Sequence, residues 1–224
     1  MIEIFEDIVA VGFDLDGTLY KTTPAIDDRV RTKIAEKILE RMPTLESVER
    51  ARDFFETSYK TLSSGTKILK EIGYENPREV MDECLATADV LDLINDDQNL
   101  EAILKEMRCL YFTYLLTSSP EPVALKKLEK IGIGPGLFYL TAFCDTPSLG
   151  NKHDGTAFKY VIKESSIAAE NHVYIGDRLN SDILPAKELG MKTIAVWSEI
   201  PEADYSITDI HDIKKCYYKN KSGD

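Results

Sequence analysis

The hydrophobic positions of this chain change rhythm twice. Residues 8–13, I-V-A-V-G-F, are an unbroken apolar run closed by a polar turn. That is the pattern of a strand buried on both faces. Helical spacing follows: Ile26, Val30, Ile34, Ile38 and Met42 predict an amphipathic helix that Pro43 ends. A second helix is expected over about 44–61, with Leu45, Val48, Ala51, Phe55, Tyr59 and Leu62 on one side. A third runs over 66–72 and stops at Gly73; a fourth opens at Pro77 and carries Val80, Met81, Cys84 and Leu85. Residues 89–98 are acidic and irregular, and 99–107 read as a short helix. No strand pattern interrupts this stretch. The aromatics Phe54, Phe55 and Tyr59 fall to the packing of a helical bundle.

At Cys109 the strand rhythm returns. Strands are expected over 109–117, 137–144, 172–175 and 192–197, separated by helices over 120–131, 154–165 and 181–189. The tail after Pro201 adds one short strand or helix, and residues 219–224 are expected to be loose. Gly132, Gly134 and Gly136 follow a helix rather than a strand, so they mark a turn around Pro135 and not a nucleotide loop. Alternating strands and helices predict an α/β fold: a Rossmann-like parallel sheet with helices on both faces. The helical block is a second unit inserted after the first strand. The expected division is residues 1–20 and 108–224 for the α/β core, and 21–107 for an all-helical cap.

Composition narrows the function. The 224 residues are 43% hydrophobic and 29% charged, ordinary for a soluble globular protein, and the net charge is -12. An acidic chain with no basic face is not a nucleic-acid binder. Its overall field also repels anions, so an anionic substrate needs local positive charge. The N-terminal residues 1–7 carry three acids and no base, unlike a secretory or transit signal. No apolar run approaches the roughly 20 residues that span a bilayer. Four scattered cysteines, with no C-x-x-C pair, suit thiols in a reducing cytoplasm.

The candidate chemistry collects where predicted strands end. Asp14 and Asp16 close the first strand just before Gly17. Ligands of open α/β sheets bind outside the carboxyl ends of the strands. Two carboxylates there repel unless a positive group lies between them, and a hard divalent cation such as Mg²⁺ fits. Thr117, Ser118 and Ser119 close the second strand; they can hold a phosphate oxygen or simply cap the helix that Pro120 opens. Lys152 precedes a helix and can neutralise a nucleophile and phosphoryl oxygens, or sit solvated at the surface. Asp177 follows a strand in Y-I-G-D, where it can complete a metal site. Asp182 stands five residues on, a partner for metal-bound water or the lysine, or a plain helix N-terminal acid.

The segment D-L-D-G-T-L-Y at 14–20 resembles the first motif of the haloacid dehalogenase-like (HAD) superfamily, and the later segments resemble its other motifs in order through about Val196. The resemblance implies Mg²⁺-dependent hydrolysis of a phosphate monoester through an aspartyl-phosphate. In it Asp14 is the nucleophile and Asp16 the general acid/base. The metal is held by Asp14, Asp177 and the backbone carbonyl of Asp16. Thr117, Ser118 and Lys152 bind the phosphate, Lys159 is the alternative lysine, and Asp182 stands behind the metal. It also implies that Asp16 is partly or readily protonated while Asp14 stays ionised, the metal touching Asp14 pushing the two apart. Ser118 stands where many members have asparagine, and His153 follows Lys152 where proline is usual. Asp16 argues for phosphate chemistry over dehalogenation, with a phosphomutase left open. The helical block resembles the mobile cap that sets substrate choice in this superfamily. Parts of it resemble pyrimidine 5′-nucleotidase-like members, which implies a small phosphorylated metabolite such as a nucleoside 5′-monophosphate. Phosphoglycolate or sugar-phosphate hydrolysis is the alternative, and a non-catalytic phosphate- or metal-binding scaffold is the reading from another class.

Overall fold

Four residues, Ala10–Phe13, form the first strand, β1, and every one of them is buried. The computed structural model describes residues 3–146 and 148–217, so the expected loose tail at 219–224 lies outside it. β1 is flanked by β2 (Phe112–Leu116), with Phe13 opposite Leu115, and by β4 (His172–Gly176), with Phe13 opposite Ile175. The other strands are β3 (Leu140–Ala142), β5 (Lys192–Val196) and β6 (Tyr205–Ile207). The order is β3-β2-β1-β4-β5-β6 and every pair is parallel. Strands added after β1 run to one side, then the chain crosses to β4 on the other. That reversal makes the carboxyl ends of β1 and β4 the natural crevice of the sheet.

Side chains alternate across the strands. Ala10, Tyr114, Leu116, Ala142 and Tyr174 face a cluster with Phe158 and Val161 of α7 (Thr156–Ser165) and Ala186 of α8 (Leu184–Glu188). Val11, Phe13, Leu115, Val173 and Ile175 point to the other face and are equally buried. Two further helices of this unit are α5 (Gln98–Leu110) and α6 (Glu121–Ile131). The tail contributes both options expected of it, β6 and a short helix α9 (Ile213–Tyr217).

The chain divides into two compact units, 1–21 with 94–224, and 22–93. The helical unit therefore ends at 93 rather than 107. Leu100, Ile103, Leu104 and Met107 of α5 are buried, and its cap residue Asp97 donates its N–H to Ile131 O at the end of α6 (2.8 Å), which ties the helix to the sheet unit. The second strand likewise starts at Phe112, not Cys109, because α5 continues through Leu110. The third strand shrinks to Leu140–Ala142, preceded by a 3₁₀ turn at Pro135–Leu137.

The helical unit holds α1 (Pro24–Arg41), α2 (Val48–Leu62), α3 (Gly65–Glu71) and α4 (Pro77–Thr87). Thr23, Ser47 and Ser64 cap the first three through their hydroxyls. Residues 44–47, expected to be helical, instead span a short 3₁₀ turn and a cap: Glu46 takes the left-handed conformation and Ser47 starts α2. Ile34, Ile38, Phe55, Ile68, Leu69 and Cys84 form its core, with Phe54 packed against it. Tyr59 is 37% exposed, so packing claims only part of it.

Candidate active site

Asp14 extends β1 by one residue, its N–H donating to Ile175 O of β4 (3.0 Å). The chain then turns at Gly17, where φ is +82° and an added Cβ would lie 2.4 Å from Asp177 Oδ2. Glycine is required there both for its backbone and for the approach of Asp177. Close approach alone sets Gly176, whose added Cβ would lie 2.4 Å from Asp182 Cβ. Asp182 sits in a π-helical turn, Leu179–Ile183, that precedes α8, so the helix expected over 181–189 begins wider and earlier. Pro185 has no N–H to give the carbonyl of residue 181, and Ile183 N–H reaches back to Arg178 O (3.2 Å). Asp182 Oδ2 accepts from Arg178 N (3.0 Å), which closes this turn.

Lys152 is buried, not solvated. Its Nζ donates to Asp14 Oδ1 (2.9 Å) and lies 2.5 Å from Asp182 Oδ1, 5.4 Å from the centre of the Tyr174 ring. Its loop is held by Asn151 N donating to Thr156 Oγ1 (2.7 Å) and by His153 Nδ1, 3.0 Å from Asn180 O. The departure at His153 thus joins the lysine loop to the Asp182 loop. Lys159 is exposed on α7, so Lys152 is the lysine that reaches Asp14.

One carboxylate oxygen each from Asp14, Asp177 and Asp182 lie within 4.8 Å of one another. Asp177 Oδ1 is buried with no hydrogen-bond partner among the described residues, and Arg178 Nε stands 3.8 Å from its other oxygen. Burial pushes Asp177 up to about 8, opposed by Arg178 and helped by Asp14 and Asp182. Burial also pushes Asp14 up to about 6, with Lys152 opposing and Asp182 and Asp16 adding to it. Three acids against one buried ammonium leave surplus negative charge, and an oxygen-only donor set with an orphaned carboxylate oxygen suits a hard divalent cation.

The Asp16 side chain is elsewhere. Its Oδ1 accepts from Lys127 Nζ (2.5 Å) and from the Tyr20 hydroxyl, and its Oδ2 from Ser119 Oγ (2.6 Å). Burial works to raise its pKa, but Lys127, Ser119 and Tyr20 bring it down to about 2. From the protein's own groups alone, Asp16 is the more strongly ionised of the two; the expected ordering is the one that a metal on Asp14 would set. The acids whose oxygens come close enough to share a cation are Asp14, Asp177 and Asp182, with Asp182 already against Lys152; the Asp16 side chain is turned to its own partners, so only its backbone carbonyl remains for such a role. Thr117 Oγ1 accepts from Ser119 N (3.0 Å), a turn-capping bond at the end of β2, while Ser118 is exposed at the turn.

Lys127 and Tyr20 receive no role in the sequence reading, and Ser119 enters it only as one of three residues that can hold a phosphate oxygen or cap a helix; the structure brings all three onto Asp16. Lys127 carried a signal: with Ala124, Leu128 and Ile131 it lies on the inward stripe of α6, a charge where an apolar residue belongs.

A parallel sheet in this order, with opposed acids and a buried lysine over its switch point, is the frame of an α/β enzyme. The sequence matches the family model described as haloacid dehalogenase-like hydrolase over residues 8–190, and the chain belongs to that family. A glyceraldehyde 3-phosphate phosphatase from Methanocaldococcus jannaschii is 35% identical over 94 residues, 40% of each chain. A protein of the same name from Pyrococcus furiosus is 25% identical over 97% of this chain and 96% of its own. The fold is similar to that of a HAD phosphatase from Thermococcus onnurineus, with a TM-score of 0.64 at 20% identity over 93% and 97% of the two chains.

Proposed function

We propose that this hydrolase is a Mg²⁺-dependent phosphatase that acts on a small phosphorylated metabolite through Asp14. The observation that carries the reading is the group of buried Asp14 and Asp182 and half-buried Asp177, with Lys152 against Asp14. Asp14, Asp177 and the Asp16 carbonyl would hold the ion, which supplies charge neutralisation when an anionic phosphate meets an anionic carboxylate. Asp14 attacks phosphorus as the ester P–O bond breaks, leaving a phosphoryl group on the aspartate. Lys152, with the Thr117 hydroxyl and the Ser118 N–H, binds the phosphoryl oxygens. Asp182 holds Lys152 from behind. Asp16 has two tasks, protonating the leaving oxygen and taking a proton from water; a carboxylate this strongly ionised suits the second.

The names of the sequence relatives favour a sugar phosphate over the nucleoside 5′-monophosphate that parts of the helical block suggested. Phosphoglycolate is the other small substrate of the same kind. We also infer a cytoplasmic protein, because its four scattered cysteines suit thiols in a reducing compartment. A panel of glyceraldehyde 3-phosphate, phosphoglycolate, a hexose phosphate and a nucleoside monophosphate, with Mg²⁺ or with chelator, tests the reading. Metal-dependent phosphate release, largest on a sugar phosphate, is expected. No release from any member would refute phosphatase activity, and a nucleotide preference would refute the substrate class.

A further inference from the structure

Asp16 is gripped from three elements at once. Lys127 comes from α6, Ser119 from the turn after β2 and Tyr20 from the turn after β1, and between them they occupy both carboxylate oxygens. Lys127 Nζ also donates to Ser119 Oγ (3.2 Å). An ammonium can only donate, so the serine oxygen accepts there and its single proton is directed to Asp16. Lys127 thus fixes Asp16 directly and through Ser119. Its side chain is 4% exposed, within a stripe otherwise made of Ala124, Leu128 and Ile131. Apolar residues in place of the whole Lys127–Asp16 pair would pack at least as stably, so stability alone does not call for the pair.

On the phosphatase reading, we propose that Lys127 is a positioning residue that holds Asp16 as an oriented carboxylate for the water-activating half of the reaction. In that half the water oxygen bonds to phosphorus and the P–O bond to Asp14 breaks. Asp14 leaves as a carboxylate, and the proton of the water passes to Asp16 and then to solvent. The first half on p-nitrophenyl phosphate needs no proton, because nitrophenolate leaves unaided. The two halves are therefore separable with one substrate.

The test is steady-state and rapid-mixing kinetics of Lys127→Met on p-nitrophenyl phosphate with Mg²⁺. The expected result is kcat down about 100-fold with kcat/KM within about threefold of wild type, and a burst near one nitrophenolate per enzyme. Lys127→Arg should recover part of kcat, and Ser119→Ala should shift kcat the same way by less. A purely structural lysine would lower kcat and kcat/KM together; that result, or an unchanged kcat, overturns the role while the phosphatase reading stands. A wild type that releases no nitrophenolate sinks that reading and takes the role with it.

Discussion

Asp14 and Asp16 stand two positions apart on the same turn, yet their surroundings are opposite. Around Asp14 negative charge is in excess: Asp177 and Asp182 crowd it, and Lys152 is shared between Asp14 and Asp182. Around Asp16 the account is balanced by one ammonium and two hydroxyls. Excess charge in a buried place is tolerated by protonation or by a cation, so on the proposed reading the first aspartate is where a metal and a phosphoryl group would be accommodated. Balanced charge fixes a geometry, so on the same reading the second would be a held proton acceptor. A motif of seven residues carries both because sheet order sends its two side chains to different partners.

The comparison breaks most sharply at Asp14. Asp14→Asn should abolish Mg²⁺-dependent turnover while the circular dichroism spectrum stays native; appreciable remaining activity would dismiss it as nucleophile. Next is Lys152→Met, which removes the one buried ammonium beside Asp14. A fall of about 10²–10³ in kcat/KM is expected, read on any substrate the wild type accepts.

The pH dependence of stability separates the two aspartates by sign. Asp14 and Asp177 hold protons to about 6 and about 8 in the fold, above the ordinary carboxylate value. The native state then binds more protons than the unfolded chain between about pH 4 and 8, and their contribution to stability falls as pH rises through that window. Asp16, depressed to about 2, contributes stability present above pH 4 and lost as pH falls toward 2. Melting temperatures across pH with chelator should show the first trend, and Mg²⁺ should flatten it between pH 6 and 8 by binding the ionised acids. A slope unchanged by Mg²⁺ would argue against a metal at this cluster. The smallest effect is expected from Tyr20→Phe, which removes one of three donors to Asp16: about a tenfold lower kcat, the low end of what a hydrogen bond to a charged group contributes.

Much of this was legible in the chain. The apolar runs at the heart of β1, β4 and β5 stand out because strands buried on both faces carry few polar positions, here only His172, Lys192 and Thr193 at their starts. Asp14, Lys152, Asp177 and Asp182 could be read as a set because each follows or precedes such an element. The boundary at Cys109 was missed because α5 and β2 meet in one continuous apolar stretch, where periodicity alone cannot mark the change. The grip on Asp16 was hidden for another reason. Ser119 and Lys127 lie 103 and 111 residues away in sequence, and nothing local records a partner at that distance. Ser119 looked like a helix cap and Lys127 like one more lysine on a helix. Only its place in an apolar stripe showed that it had to be paired.

The most direct measurement is a rapid acid quench of the enzyme with ³²P-labelled substrate and Mg²⁺, followed by peptide mapping. The structure predicts label on the peptide containing Asp14, absent when Mg²⁺ is chelated. Label on another residue, or turnover with no labelled protein at any time, would contradict a covalent route through Asp14.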